Sequence, residues 1–186
     1  MNKLNSKYIV FSAPSGAGKT TIVKVLLEQI PDLALSISAT TRNMRPGEMN
    51  AKDYFFLSKD EFEQAIREGK FLEHEVVHDN YYGTLKAKVD GLVKQGKSVV
   101  FDIDVKGARA IKDAYPEAVL IFIKPPSKEV LEQRLKDRQS EDEKSIKKRL
   151  ERLEFEYEQA SFFDYNIVND NLEHAIEEVK KLILKP

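Results

Sequence analysis

A short apolar run, Tyr8-Ile9-Val10-Phe11, leads into Ala13-Pro14-Ser15-Gly16-Ala17-Gly18-Lys19-Thr20. A stretch with helical spacing follows. Glycines in such a loop allow tight turns and close ligand approach, so that backbone N–H groups converge on phosphate oxygens at the start of a helix. At this spacing Lys19 reaches the β- and γ-phosphates of a bound nucleoside triphosphate, and the Thr20 hydroxyl holds magnesium. The nucleotide is therefore expected on Ala13, Pro14, Ser15, Gly16, Ala17, Gly18, Lys19, Thr20 and Thr21. The usual pattern opens on glycine, but here Ala13 stands, and alanine reaches positive φ only at a cost.

A second group of oxygens comes at Phe101-Asp102-Ile103-Asp104, after an almost continuously apolar run. A carboxylate at the C-terminal edge of a neighbouring parallel strand can orient a metal ion or its waters. Thr20 and Asp102 are the expected metal positions. Asp102 and Asp104, two apart, share one side if the strand continues that far. These features alone suit a GTPase, an ATP-driven motor or a small-molecule kinase. The first is disfavoured because the chain has no Asn-Lys-x-Asp stretch to read guanine.

The elements that must hold these residues alternate. Strands are expected at 8–11, 35–38, 98–103, 119–123 and 166–168, and helices at 20–30 and over the periodic Leu172, Ile176, Val179 and Ile183. Ser127 starts another helix, and Ile146, Leu150, Leu153 and Tyr157 mark a long amphipathic segment. Between the second and third strands the character changes. Tyr54–Leu57 and Phe71–Val77 read as strands around a helix opened by a Ser58/Glu61 capping box, and Thr84 reads as the cap of a helix over 85–94. The fold class predicted is α/β: a parallel sheet covered on both faces, carrying a small insert. The division predicted is a discontinuous core, 1–38 and 85–186, around an insert at 39–84.

The balance of 30 basic and 31 acidic residues, with a formal charge of -1, speaks against a nucleic-acid or membrane-surface binder. The absence of cysteine excludes disulfides and thiolate metal sites. No apolar run reaches membrane-spanning length and no secretory signal is evident, so a cytoplasmic protein is expected. Homo-oligomerisation stays open.

Ser38-Ala39-Thr40-Thr41-Arg42-Asn43-Met44-Arg45-Pro46-Gly47-Glu48, with Lys52-Asp53-Tyr54, resembles the acceptor-binding stretch of guanylate kinases. So do Phe71-Leu72-Glu73, Asn80-Tyr81-Tyr82-Gly83-Thr84, Asp102 through Gly107, and Ile167-Val168-Asn169-Asp170. The departures are Ala13, and Ala51 where many relatives have glycine. The resemblance implies a P-loop core with five parallel strands, an acceptor domain and a mobile lid at about 136–149. It further implies transfer of the ATP γ-phosphate to GMP or dGMP, with Mg2+.

Under that resemblance Arg42, Arg45, Tyr54 and Tyr82 hold the GMP phosphate with Ser38 nearby, and Glu73 and Thr84 read guanine. Asp102 and Asp104 stand on the acceptor side, and Asn169 lies by the nucleotides. Lys19, Arg42 and the lid arginines Arg134, Arg138 and Arg149 serve the transferring group. The residue chemistry agrees. A guanidinium fork fits phosphate oxygens. An ionised Glu73 accepts from guanine N1–H and its 2-amino group, while Thr84 could donate to O6. Another phosphorylated acceptor, or a non-catalytic module that binds proteins in this cleft, are the competing readings.

Overall fold

β1 (Tyr8–Ser12) is buried along its whole length and sits at the centre of the core sheet in this computed structural model. The structure describes residues 4–77, 79–137 and 156–184, the last four of the middle range by backbone alone. Alternation along β1 sends Ile9 and Phe11 to one face and Tyr8 and Val10 to the other. Both faces are therefore covered. α1 (Lys19–Gln29) and α6 (Leu172–Ile183) pack on the first through Ile22, Leu26, Ile176 and Val179. α3 (Lys86–Lys94) and α4 (Val105–Ala114) pack on the second through Val89, Ala108 and Ile111. α5 (Lys128–Asp137) opens with Ser127 Oγ accepting from Val130 N at 3.3 Å.

The core sheet also contains β2 (Leu33–Leu35), β7 (Ser98–Asp102), β8 (Val119–Lys124) and β9 (Tyr165–Val168). Its order is β2-β7-β1-β8-β9 and every pairing is parallel. The predicted five-stranded parallel α/β core is therefore present. Strand order reverses at β1, so the C-terminal ends of β1, β7 and β8 border the crevice where ligands bind in such sheets.

A second sheet, ordered β4-β3-β6-β5, stands beside this edge. It comprises β3 (Ala39–Thr40), β4 (Phe55–Phe56), β5 (Phe71–Val77) and β6 (Asn80–Leu85). α2 (Lys59–Arg67) closes a small core of Ala39, Phe62, Ala65 and Phe71. Its capping box forms as expected: Ser58 Oγ accepts from Glu61 N, and Glu61 Oε2 accepts from Ser58 N at 2.7 Å.

Three local expectations change. The expected strand over 35–38 divides, because Ser36 N still bonds Val100 O of the core sheet whereas Ser38 O accepts from Phe55 N of the small one. Thr84 caps no helix. It belongs to β6, which runs on to Leu85 because it pairs with β5, and α3 starts behind Leu85 with no side-chain cap. β7 stops at Asp102, so Asp104 is not a strand residue. It caps α4, Oδ1 accepting from Lys106 N at 3.0 Å and Gly107 N at 2.9 Å. Among the described residues no helix is long and apolar enough to cross a membrane.

Candidate active site

Gly16 and Gly18 take positive φ, 93° and 92°, and fold the chain from β1 into α1. Ala13 does not, so the missing first glycine carries no backbone penalty; the departure that does is Ala51, at φ 63°. Gly18 is the N-cap of α1, and no side chain caps the helix or places an acid in its first turn. The positive end of α1 is thus turned to the loop with nothing of its own to neutralise it. The loop is braced from behind by Asn169, whose Nδ2 donates to Ala17 O at 2.8 Å. A Cβ on Gly18 would lie 2.3 Å from that same nitrogen.

Lys19 leaves the first turn of α1 toward the end of β7, where its ammonium pairs with Asp102 Oδ1. A longer contact, 3.4 Å, reaches Ile103 O. The lysine and the expected metal carboxylate therefore hold each other in this state. Thr20, one residue on, is exposed.

Across a cleft of about 360 Å³ stand Ser38 and Tyr54, just ahead of β3 and β4, with Glu73, Glu75, Val77 and Tyr82 of the small sheet. Lys19, Asp102, Ile103 and Asp104 form the other wall. At one end Arg42 Nη2 bonds Glu48 Oε1 at 2.6 Å and Nη1 bonds Asn43 O at 2.7 Å. Its guanidinium lies 5.4 Å from the Tyr54 ring centre. The Glu48 carboxylate beside it raises the Arg42 pKa, and Arg42 holds Glu48 below its ordinary value, with Arg45 N also donating to Glu48 at 2.7 Å. Tyr54 and Tyr82 meet edge to face with centroids 6.0 Å apart, and burial raises the Tyr54 pKa.

At the other end Thr84 Oγ1 donates to Glu73 Oε1 at 2.6 Å. The register explains this meeting. Phe71 faces Leu85, but Glu73, two residues later, faces Thr84, only one residue earlier. The bulge at Leu72 shifts the ladder by one and turns Glu73 into the cleft. Thr84 is 1% exposed and lies behind Glu73, so its proton goes to the carboxylate rather than into the open space. Burial pushes the Glu73 pKa up, against the hydrogen bond from Thr84, and Glu75 and Asp104 push it further. Gly107 of α4 packs against Ile103: a Cβ on it would stand 3.2 Å from Ile103 Cδ1 and, at 3.5 Å, in ordinary contact with Glu73 Oε2.

The cleft so assembled sets Lys19, from the glycine turn, opposite two tyrosines and the half-buried Glu73 carboxylate, with Arg42 beside Tyr54 at one end. The guanylate kinase profile matches residues 5–185. The chain belongs to the guanylate kinase family. It is 49% identical over 174 residues to the guanylate kinase of Chlorobium luteolum, covering 93% of this chain and 88% of that one. It is 48% identical to that of Chlorobium chlorochromatii, covering 97% and 95%. The crystal structure of guanylate kinase from Anaplasma phagocytophilum superposes with a TM-score of 0.73 at 31% identity, covering 94% of this chain and 82% of that one.

Within this family frame, Lys19, Ser38, Tyr54, Glu73, Tyr82, Asp102 and Asp104 share one cleft, with Arg42 at its end. Arg45 is exposed, its amide engaged by Glu48. Asn169 is 5% exposed and meets the loop backbone. Arg138 and Arg149 lie outside the described residues, and Arg134 is described only as a backbone position on α5. Sequence reasoning gave no role to Glu48, which ties Arg42 to the Arg45 backbone; the signal was an acid inside an arginine-bearing turn. It also passed over Glu75. Period two from Glu73 could have found that residue.

Proposed function

We propose that this chain moves the γ-phosphoryl group of ATP, presented with Mg2+, onto the phosphate of GMP and of dGMP, giving ADP and GDP or dGDP. The observation that carries this reading is a single cleft with Lys19 of the phosphate loop on one wall and the Glu73 carboxylate on the other. We assign acceptor binding to 39–84 and nucleotide binding to 1–38 and 85–186, and place the activity with its substrates in the cytoplasm.

Residues 13–21 surround the ATP phosphates, and Lys19 exchanges Asp102 for their oxygens. Thr20 and Asp102 offer a hydroxyl and a carboxylate, hard oxygen donors that suit magnesium while leaving it most of its waters. When bound, the ion neutralises charge on the β- and γ-phosphate oxygens. Arg42, Arg45, Tyr54 and Tyr82, with Ser38 at the cleft wall, clamp the acceptor phosphate in Glu48's place. One of its oxygens attacks the γ-phosphorus, the bond to the β–γ bridging oxygen breaks, and ADP departs with that oxygen. The nucleophile is already an anion, so position and positive charge matter more than a base. Arg134, Arg138 and Arg149, from a lid over about 136–149, add charge around the transferring group. Asn169 acts through the loop it braces.

Glu73 accepts from guanine N1–H and the 2-amino group, and Thr84 holds it in position; donation from Thr84 to O6 requires its hydroxyl to turn away from Glu73. Asp104 closes the acceptor side next to Glu73. The test is ADP release with Mg-ATP and a panel of nucleoside monophosphates. GMP and dGMP should support turnover, whereas AMP, CMP and UMP should give little. Equal turnover across the panel would remove the guanine assignment.

A further inference from the structure

The β5–β6 ladder puts three rungs on the cleft face: Glu73 opposite Thr84, Glu75 opposite Tyr82, and Val77 opposite Asn80. Glu73, Glu75, Val77 and Tyr82 all line the cleft. The outer two parts of a nucleoside monophosphate are already placed by the reading above, on which this inference rests. The base belongs at Glu73, and the phosphate belongs with Tyr82, Tyr54 and Arg42, toward which the Tyr82 ring leans. The sugar joins base to phosphate and must cross the span between them. Glu75 stands in that span, one rung from Glu73 (roughly 7 Å along the strand) and on the same rung as Tyr82.

We propose that Glu75 accepts hydrogen bonds from the ribose hydroxyls of the acceptor, and so makes this chain prefer GMP to dGMP. An ionised carboxylate is acceptor-only, and its two oxygens can take both protons of a vicinal diol. The deoxy sugar offers one of the two. A site arranged to accept from a hydroxyl discriminates against the analogue that lacks it, because the carboxylate oxygen is then left facing the ligand without a donor. The same carboxylate has a cost in the empty cleft, since its charge adds to the forces that keep Glu73 from ionising. It also opposes an incoming phosphate. Ribose binding recovers that cost, and deoxyribose recovers less of it.

The experiment compares kcat/KM for GMP and dGMP in the intact wild-type chain, E75A and E75Q, with calorimetric binding of both nucleotides alongside. In the wild type GMP should be favoured by about tenfold. In E75A the ratio should approach one, through loss of GMP use more than dGMP use. E75Q, which keeps one acceptor, should fall between. An active wild type whose ratio is unchanged in both variants overturns the role of Glu75 and leaves the guanylate kinase reading intact. A wild type that phosphorylates and binds neither nucleotide overturns both.

Discussion

The side-chain amide of Asn169 donates to the carbonyl of Ala17 at 2.8 Å, joining the end of the β9 edge strand to the phosphate loop. Asn169 N in turn donates to Lys124 O at 2.8 Å, so the brace is anchored in the core sheet. It fixes the peptide just before Gly18, the residue that sets the start of α1.

Replacing Asn169 by Ala should therefore loosen the loop. Losing a buried partner of a carbonyl costs about 1–3 kcal/mol. Steady-state kinetics on N169A should show a KM for ATP raised by about tenfold or more, while the KM for GMP barely moves. A change of equal size in both would make Asn169 a general fold residue.

Lys19 and Asp102 form a pair whose side chains are 18% and 24% exposed. Such a partly solvated pair contributes little to stability, on the order of 0–1 kcal/mol. K19A should thus melt close to the wild type while kcat falls by more than about a hundredfold, because charge on the transferring phosphates is lost. A kcat within about tenfold of wild type would contradict the assignment of Lys19.

The raised Glu73 pKa makes a statement about stability with a definite sign. Between its unfolded and folded values the native chain holds more protons than the unfolded one, so stability falls as pH rises through that window. Above it, the ionised Glu73 is a constant burden in the empty cleft. E73Q, which carries no charge, should melt higher than wild type at pH 7, and the gap should close toward pH 4. Thermal melts at the two pH values check this; a gap that widens on acidification would mean Glu73 is held below its ordinary pKa.

Ala51 sits at φ 63°, a left-handed conformation that glycine adopts without penalty. A51G should stabilise the chain by about 1 kcal/mol, equivalent to roughly 2–4 °C in Tm for a domain of this size. Turnover should be unchanged. A lower Tm in A51G would mean that the unfolded-state entropy of glycine outweighs the relief of strain.

What was legible in the sequence follows from what is local. The glycine turn between β1 and α1, the Ser58/Glu61 cap and the apolar runs of β1, β7 and β8 are fixed by neighbours within a few residues, and they stand where they were expected. The small sheet depends on pairings between distant segments. Nothing near Leu72 announces the bulge that turns Glu73 toward Thr84. The Asp102-x-Asp104 spacing reads as a strand until the two amides behind Asp104 turn it into a cap. The two alanine departures were equally visible, but only backbone angles separate Ala13, which is unstrained, from Ala51, which is not.

Choice of guanine through the Glu73 carboxylate is tested by kcat/KM for GMP and AMP in wild type and E73Q. The glutamine keeps the size of the side chain but turns one acceptor into a donor that faces the donors of guanine. GMP use should fall by about 2–4 kcal/mol in transition-state terms. AMP, which has no matching donor pair, should change far less, so the preference for GMP shrinks. Equal losses for GMP and AMP would rule out that choice and leave Glu73 as scaffold.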